Sequence, residues 1–393
     1  MKCLSLTLST VVVAIVAIAA GYVYGTGTID LGYRASTSLK ALQGILSLEH
    51  SDIDAFINSY EIFGKEVITP EDEAKIKDYY RVVNQLCALG EVEKMYIPPV
   101  LDLPQGVYGN QLLFEREMAK VLNVGPGDKL LEVGCGRGRI SHHVARLTGA
   151  KVVGMNIDDG FQIKNAIQHA NQTGLLGKQL EFHYGSFNDP LPFDDGVFDG
   201  FYHVQALTYV SDLDALFAEL FRVLKPGAKV SFLDWFMLDA YDETNPRHRE
   251  LLVKTKAIIG AVYTPRPIDY HRALKKAGFE LEFSKEASVT GHQYPMIQKA
   301  RDFFMPVGYI VNFLCRVGFL HENTAILLNR LNLYVEDFIE SDSLGLFTTS
   351  YWIVAQKPPV GGKQKHAQPG SQADADPQLI VEGAGHESFS SSS

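Results

Sequence analysis

The sequence predicts an α/β fold organised around a parallel sheet. Between residues 129 and 235, apolar strand-like runs alternate with helix-like runs, and this alternation is typical of βαβ units. A glycine-rich loop directly follows the first run, as in folds that bind nucleotide-like ligands at the carboxyl ends of parallel strands. The strand-like runs cover residues 129–133, 151–155, 179–184, 197–204 and 229–235.

The segments on either side of this pattern differ from it in composition. Residues 30–105 predict a helical lead-in, because apolar residues recur there at helical spacing until Pro98-Pro99. The α/β domain is expected to span residues 106–357. Residues 358–393 are mostly Gly, Ser, Pro, Gln and Ala, which cannot offset the entropy of ordering, so this tail is predicted to be disordered.

Residues 1–29 are predicted to be an N-terminal membrane anchor, a single transmembrane helix. Residues 3–29 carry no charge and residues 11–20 are apolar throughout. A helix of about 20 such residues spans a bilayer. A cleaved signal peptide is the alternative, because Ala17-Ile-Ala19 resembles a cleavage site.

The overall composition excludes some partners and favours others. The net charge of −10, with no Lys/Arg block, argues against nucleic acid. The four cysteines are too far apart for a zinc site or a dense disulfide framework, so we expect no metal and a reducing compartment. The 22 Phe and 18 Tyr side chains are numerous enough to line an apolar substrate pocket. The oligomeric state stays open.

The strongest motif is the glycine loop in Lys129-Leu-Leu-Glu-Val-Gly-Cys-Gly-Arg-Gly138. Glycines at alternate positions let the backbone turn sharply and approach a ligand closely. Dinucleotide sites space the third glycine three places after the second, so the G-x-G-x-G spacing indicates a ligand held without phosphate. A tight turn without any ligand is the alternative.

This loop resembles motif I of the class I S-adenosylmethionine-dependent methyltransferases, which have a Rossmann-like domain. Later landmarks of that class follow in order, at Val152-Val-Gly-Met-Asn156, Tyr184-Gly-Ser-Phe187, Asp194-Asp-Gly-Val-Phe-Asp-Gly200 and Leu224-Lys-Pro-Gly227. The resemblance implies S-adenosylmethionine as cofactor. It places Asn156 or Asp158 at the ribose and Ser186 where an Asp commonly meets adenine. The implied cofactor-binding residues are Glu132, Gly134, Cys135, Gly136, Gly138, Asn156, Asp158, Gln162, Ser186, Phe187 and His203.

The segment after the fifth strand-like run is similar to one particular family, the sterol C-methyltransferases. Phe232-Leu-Asp-Trp-Phe-Met-Leu-Asp-Ala-Tyr-Asp-Glu-Thr-Asn-Pro-Arg-His-Arg249 carries the acidic-Trp pair, the Tyr-Asp pair and the Asn-Pro-x-His-Arg sequence of that family. The sterol-type part covers about residues 232–357. The chain resembles a divergent member, because Gln205 stands where the family has the Glu of Glu-Ala-Thr-Cys-His.

The family resemblance implies C-methylation of a sterol side-chain double bond, with a sterol or other lipid as substrate. Such a reaction passes through a carbocation, which negative aromatic ring faces stabilise. Tyr209 and Trp235 are the aromatic candidates, and Asp234 or His203 is the candidate proton acceptor. For each of them a purely structural role is the alternative.

Other functions also fit the motifs. The alternatives are methylation of another lipid or small molecule, such as triterpene C-methylation or head-group N-methylation, and cofactor binding without catalysis. Because S-adenosylmethionine is a cytosolic metabolite, the predicted anchor implies a membrane protein of the endoplasmic reticulum whose catalytic domain faces the cytosol. An apolar run at residues 305–320 favours a core helix, with a pocket wall or membrane contact as alternatives.

Overall fold

A computed structural model describes residues 43–45, 47–89, 94–157, 161–320 and 322–360. The predicted anchor, residues 1–29, lies outside these ranges. So does the predicted disordered tail from residue 361 onward.

The described ranges contain no helix that is both long enough and apolar enough to cross a bilayer. The longest helix, Tyr294–Arg316, has 23 residues and would extend about 35 Å. Its apolar character is interrupted by the charged side chains of Lys299, Arg301 and Asp302. This finding corrects the prediction of an endoplasmic reticulum membrane protein, which depended on a segment outside the described residues.

The predicted parallel α/β sheet is confirmed. Its seven strands lie in the order β3-β2-β1-β4-β5-β7-β6, in which β1 to β5 are parallel and β7 is antiparallel to both of its neighbours. The strands are β1 Lys129–Val133, β2 Lys151–Asn156, β3 Leu180–Tyr184, β4 Phe198–Val204, β5 Leu224–Met237, β6 Glu280–Glu286 and β7 Phe347–Gln356. The sequence pattern missed β6, because this edge strand is polar and mostly exposed and therefore has no apolar run.

Eleven helices are named here within the described residues. They are α1 His50–Ser59, α2 Asp72–Leu89, α3 Gly106–Leu122, α4 Arg139–Thr148, α5 Gln162–Gln172, α6 Leu213–Val223, α7 Pro246–Ile259, α8 Pro267–Ala277, α9 Tyr294–Arg316, α10 Glu322–Asn332 and α11 Val335–Ser343. Short 3-10 turns occupy Tyr60–Gly64, Leu103–Gln105 and Leu207–Tyr209.

Helices cover both faces of the sheet because successive side chains of a strand point to opposite faces. In β5, Phe232 belongs to a core with Phe217 of α6 and Tyr270 of α8. Its neighbour Leu233 belongs to a second core, which includes Phe114 of α3. The central strands are therefore buried from both sides, and the carboxyl ends of β1 to β5 are left to form a site.

The helices α1 and α2 pack over this end of the sheet. Phe56, Phe63 and Tyr79 form an aromatic cluster with ring centroids 5.0–5.9 Å apart. The same buried core includes Tyr209, which follows β4. The lead-in and the α/β domain are consequently parts of one packed structure.

The apolar run at residues 305–320 is not a core helix. It forms the second half of α9 and the turn after it, where Tyr309 is 69% exposed and Phe313 is 62% exposed. The core interpretation is wrong because the run lies at the surface of the described structure.

Residues 94–100, here called the roof segment, connect the lead-in to α3 without regular secondary structure. Hydrogen bonds to one buried carboxylate hold the start of the roof segment in place. Glu115 of α3 accepts hydrogen bonds from Lys94 Nζ at 2.5 Å and from Tyr96 Oη at 2.8 Å. His143 Nδ1 of α4 lies 2.5 Å from the same carboxylate, and Gln111 Nε2 donates to the carbonyl oxygens of Lys94 and Tyr96 at 3.0 and 2.9 Å.

We predict that Glu115→Ala lowers the free energy of unfolding by about 3–5 kcal/mol, because it leaves the Lys94 ammonium buried without its counter-charge. Urea denaturation followed by circular dichroism measures the change. Lys120→Ala is the control, because it breaks an exposed ion pair with Glu117 on the same helix and should leave the stability unchanged. Equal stability of the two variants would contradict this role for Glu115.

Candidate cofactor and substrate site

The three glycines of the loop all have left-handed backbones but serve different contacts. Gly134 has φ +69°, and a Cβ on it would lie 2.3 Å from the Ala206 Cβ. A Cβ on Gly138 would lie 2.7–2.9 Å from side-chain atoms of Phe182 and Ala166. Gly134 therefore lets two loops meet, whereas Gly138 lets the start of α4 pack on β3 and α5.

Glu132 lies under the loop rather than in the site. Its carboxylate accepts hydrogen bonds from Ser141 Oγ and, at 2.8 Å, from Tyr202 Oη. Burial raises its pKa to about 7, and the two hydroxyl donors oppose that rise. The side chain thus ties β1 to α4 and β4, and its contact with the cofactor stays a prediction.

A cavity of about 910 Å³ opens above the loop at the carboxyl ends of β1 to β4. We call it the large cavity. Eight of the predicted site residues line it, namely Gly134, Cys135, Gly136, Asn156, Gln162, Ser186, Phe187 and Tyr209. Gly138 and His203 are not among the residues that line it, so their contact with the cofactor stays a prediction. Asp158 lies outside the described residues.

Asn156 provides a direct test of whether S-adenosylmethionine fits. Its side chain ends β2 and is 8% exposed, and its Nδ2 has no hydrogen-bond partner within the part of the chain that the structure describes. A buried donor without a partner is costly, and a ribose hydroxyl would satisfy it. Arg137 and Arg139 also line the cavity, and their positive charge suits the carboxylate of the cofactor's amino-acid end.

Ser186 contacts a carboxylate of the lead-in, that of Glu73. Ser186 Oγ donates to Glu73 Oε1 of α2 at 3.3 Å and accepts from the Asn188 backbone N–H at 3.2 Å. Asn188 itself lines the cavity. Sequence reasoning missed Glu73, because a contact across 113 residues leaves no local pattern. It also missed Asn188, which lies only two residues from Ser186.

A second cavity, of about 450 Å³, adjoins the first and is called the small cavity. Its walls include Asp234 and Trp235 from the end of β5 and Tyr79 from α2. Three residues line both cavities, and we call them the junction: Tyr80, Met95 and Gln205. Tyr80 and Met95 also escaped prediction, because they come from the lead-in and the roof segment, far from the glycine loop in sequence.

Asp234 and His203 are adjacent and buried, but only Asp234 reaches a cavity. Asp234 Oδ1 accepts from the Trp235 backbone N–H at 2.9 Å, and Oδ2 accepts from Tyr270 Oη at 3.0 Å. Burial raises the pKa of Asp234 to about 7, and these hydrogen bonds limit the rise.

The His203 ring lies beside the Asp234 carboxyl. Its Nδ1 accepts from the Ala206 backbone N–H at 3.3 Å, which assigns the proton of the neutral ring to Nε2. Nε2 lies 3.3 Å from Asp234 Oδ2, without the alignment of a hydrogen bond. Burial lowers the pKa of His203 to about 3. The ring lines neither cavity, and the role of His203 as a proton acceptor stays a prediction.

The two predicted aromatic residues are fixed at opposite sides of the junction. Trp235 Nε1 donates to the Tyr263 carbonyl at 2.9 Å, so the indole forms a wall of the small cavity. Tyr209 Oη donates to the Gly260 carbonyl at 2.5 Å and lies 3.3 Å from Tyr80 Oη, in the wall of the large cavity.

Comparison with known proteins agrees with this geometry. A family model described as "Methyltransferase domain" matches residues 131–232. In structure, the chain is similar to a cyclopropane synthase of Mycobacterium tuberculosis, with a TM-score of 0.55, 14% identity and coverage of 68% of this chain and 91% of that one. It is also similar to a geranyl diphosphate C-methyltransferase of Streptomyces coelicolor, with a TM-score of 0.52, 19% identity and coverage of 68% and 90%.

The strand order, the glycine loop and these matches define a class I S-adenosylmethionine-dependent methyltransferase. In sequence, the chain is 31% identical to a sterol 24-C-methyltransferase of Schizosaccharomyces pombe over 267 residues, which cover 62% of this chain and 69% of that one. It is 29% identical to a sterol methyltransferase-like protein of Botryococcus braunii over 86% of this chain and 90% of that one. The chain therefore belongs to the sterol 24-C-methyltransferase family.

We predict that Gly134→Ala weakens binding of S-adenosylhomocysteine at least about tenfold, because the new methyl group forces apart the loops that meet at Ala206. Calorimetric titration measures the affinity. Gly196→Ala is the matched control, because Gly196 has a similar φ of +63° with nothing within 4 Å of the added Cβ. It shares the backbone strain of about 1–2 kcal/mol without the clash, so its affinity should equal that of the wild type.

Proposed function

We propose that this enzyme transfers a methyl group from S-adenosylmethionine to a side-chain double bond of a sterol. One observation carries the proposal: a small cavity with an aromatic wall and a buried carboxyl adjoins the cofactor cavity at the junction. The family membership supports the same substrate class. Bound S-adenosylmethionine supplies an electrophilic methyl group.

The large cavity is proposed to bind and orient the cofactor. Asn156 would hold the ribose, while the backbone between Gly134 and Gly136 would hold the amino-acid end. Gln162 begins α5 beside this loop, with its Oε1 3.0 Å from where a Gly136 Cβ would stand. The cofactor held there would supply its methyl group to a substrate in the adjoining small cavity.

The small cavity is proposed to hold the double bond and to tolerate the cation that methylation creates on the sterol side chain. Trp235 and Tyr80 present aromatic rings to this space, and such rings stabilise a cation more when water is excluded. The ring of Tyr209 would stabilise the same cation from the other side of the junction, where the Tyr209 hydroxyl faces that of Tyr80.

Asp234 is proposed to accept the proton that leaves the sterol. Its ionised form is available above about pH 7, and the neighbouring His203 is neutral there and does not compete as a base. The hydrogen bond from Tyr270 leaves the Asp234 carboxyl anchored while it changes its protonation state.

Activity on a substrate panel tests the proposal. Purified protein with methyl-labelled S-adenosylmethionine should label a sterol with a side-chain double bond and leave the saturated analogue unlabelled. The panel should include a linear triterpene and a phospholipid head-group amine. Transfer confined to either of those compounds would contradict the sterol assignment while preserving methyl transfer.

We predict that kcat rises with pH through about 7 in the wild type, because a proton acceptor must be ionised and burial places the pKa of Asp234 there. Asp234→Asn should lower kcat by about 10²–10⁴-fold and remove this limb. Tyr270→Phe should move the limb to higher pH, because the lost hydrogen bond stabilised the carboxylate. Rate measurements from pH 5 to 9 decide, and an unchanged limb in Asp234→Asn would exclude Asp234 as the base.

A further inference from the structure

Gln205 has an unusual backbone and three side-chain hydrogen bonds. Its φ is +49°, in the left-handed region that non-glycine residues rarely occupy. Its Nε2 donates to the carbonyl oxygens of Ile97 at 2.7 Å and Thr349 at 2.6 Å. Its Oε1 accepts from the Ile97 backbone N–H at 3.1 Å. The side chain thus joins the end of β4 to the roof segment and to β7.

A second glutamine completes the contact from the other side. Gln293 is fully buried, and its Nε2 donates to the carbonyl oxygens of Ile97 at 3.1 Å and Pro98 at 2.8 Å. Its Oε1 accepts from the backbone N–H and the hydroxyl of Thr349 at 3.1 and 2.8 Å. The two amides and the two backbone segments form a closed ring of hydrogen bonds.

This arrangement requires an amide at residue 205. An ionised carboxylate would place negative oxygens against two carbonyl oxygens, and a protonated one could donate to only one of them. The Glu that the sterol methyltransferase pattern has at this position cannot make these contacts. Having Gln205 in place of this Glu therefore removes a negative charge and adds hydrogen bonds that hold the roof segment.

We propose that Gln205 is a positioning residue that seals the roof segment over the junction and keeps water from the sterol cation. Gln205 lines both cavities, and so does Met95, which belongs to the roof segment. If the roof segment came loose, water could therefore enter where the cation forms. The inference rests on the proposed function for its chemistry, whereas the seal itself is a property of the chain alone.

The seal controls which of two reactions ends the cycle. In the sealed site, a carbon next to the cation loses a proton, and the C–H electrons form the new double bond. In an unsealed site, a water oxygen bonds to the cationic carbon, and the proton that it releases leaves with solvent. The product is then a tertiary alcohol, and neither path requires an oxidant or a reductant.

Hydrogen exchange tests the seal without any substrate. Gln205→Met keeps the side-chain length but removes all three hydrogen bonds. In this variant the amides that residues 95–101 carry outside Pro98 and Pro99 should exchange about tenfold faster or more. Gln293→Met should act in the same direction. Gln179→Met is the control, because Gln179 Nε2 donates to the Gly149 carbonyl at 3.0 Å, outside the roof segment. Unchanged exchange of residues 95–101 in folded Gln205→Met would overturn the proposal.

Product analysis in water enriched in oxygen-18 tests the consequence. Gln205→Met should raise the share of labelled tertiary alcohol at least about tenfold over wild type, while Gln179→Met should leave it unchanged. Faster exchange of the roof segment without extra alcohol would overturn the role in water exclusion. If the wild type methylates no sterol, the proposed function fails, and the exchange experiment still decides whether Gln205 fastens the roof.

Discussion

The roof segment imposes the main constraint on this structure, because it buries backbone carbonyl groups without a strand or helix to bond them. An unpaired buried carbonyl costs about as much as a lost hydrogen bond. Three glutamine amides meet this demand: Gln111 at its start, and Gln205 and Gln293 at its centre. Both cavities depend on the result, since Met95 of the roof segment lines each of them.

Burial produces two carboxyl groups with similar acidity and different functions. Glu132 and Asp234 both have their pKa raised to about 7. Glu132 is enclosed beneath the glycine loop, where it bonds Ser141 and Tyr202 and can only support the loop. Asp234 faces the small cavity, where the same desolvation would suit it to the proposed role of a base at neutral pH. The surroundings of each carboxyl, and not its acidity, separate the structural group from the proposed catalytic one.

The sequence predicted what is local and missed what is distant. The parallel strands and the glycine loop followed from apolar periodicity and spacing within about 100 residues. The roles of Tyr80 and Met95 could not follow, because these residues reach the site only through tertiary packing of the lead-in. His203 was predicted as a cofactor contact and base from its place in the strand, yet sequence cannot show whether a ring faces a cavity or the core. The exchange at Gln205 was visible in the sequence, but its contacts with Ile97 and Thr349 were not.

The ring of hydrogen bonds around the roof segment also constrains the order in which parts of the protein fold. Ile97 and Thr349 are far apart in sequence, and Thr349 belongs to β7, which inserts between β5 and β6. Contacts of such long sequence separation form late, because loop closure must precede them. Until β7 pairs with β5, Gln205 can bond Ile97 but not Thr349, so the ring of hydrogen bonds closes only when the sheet is complete on that side.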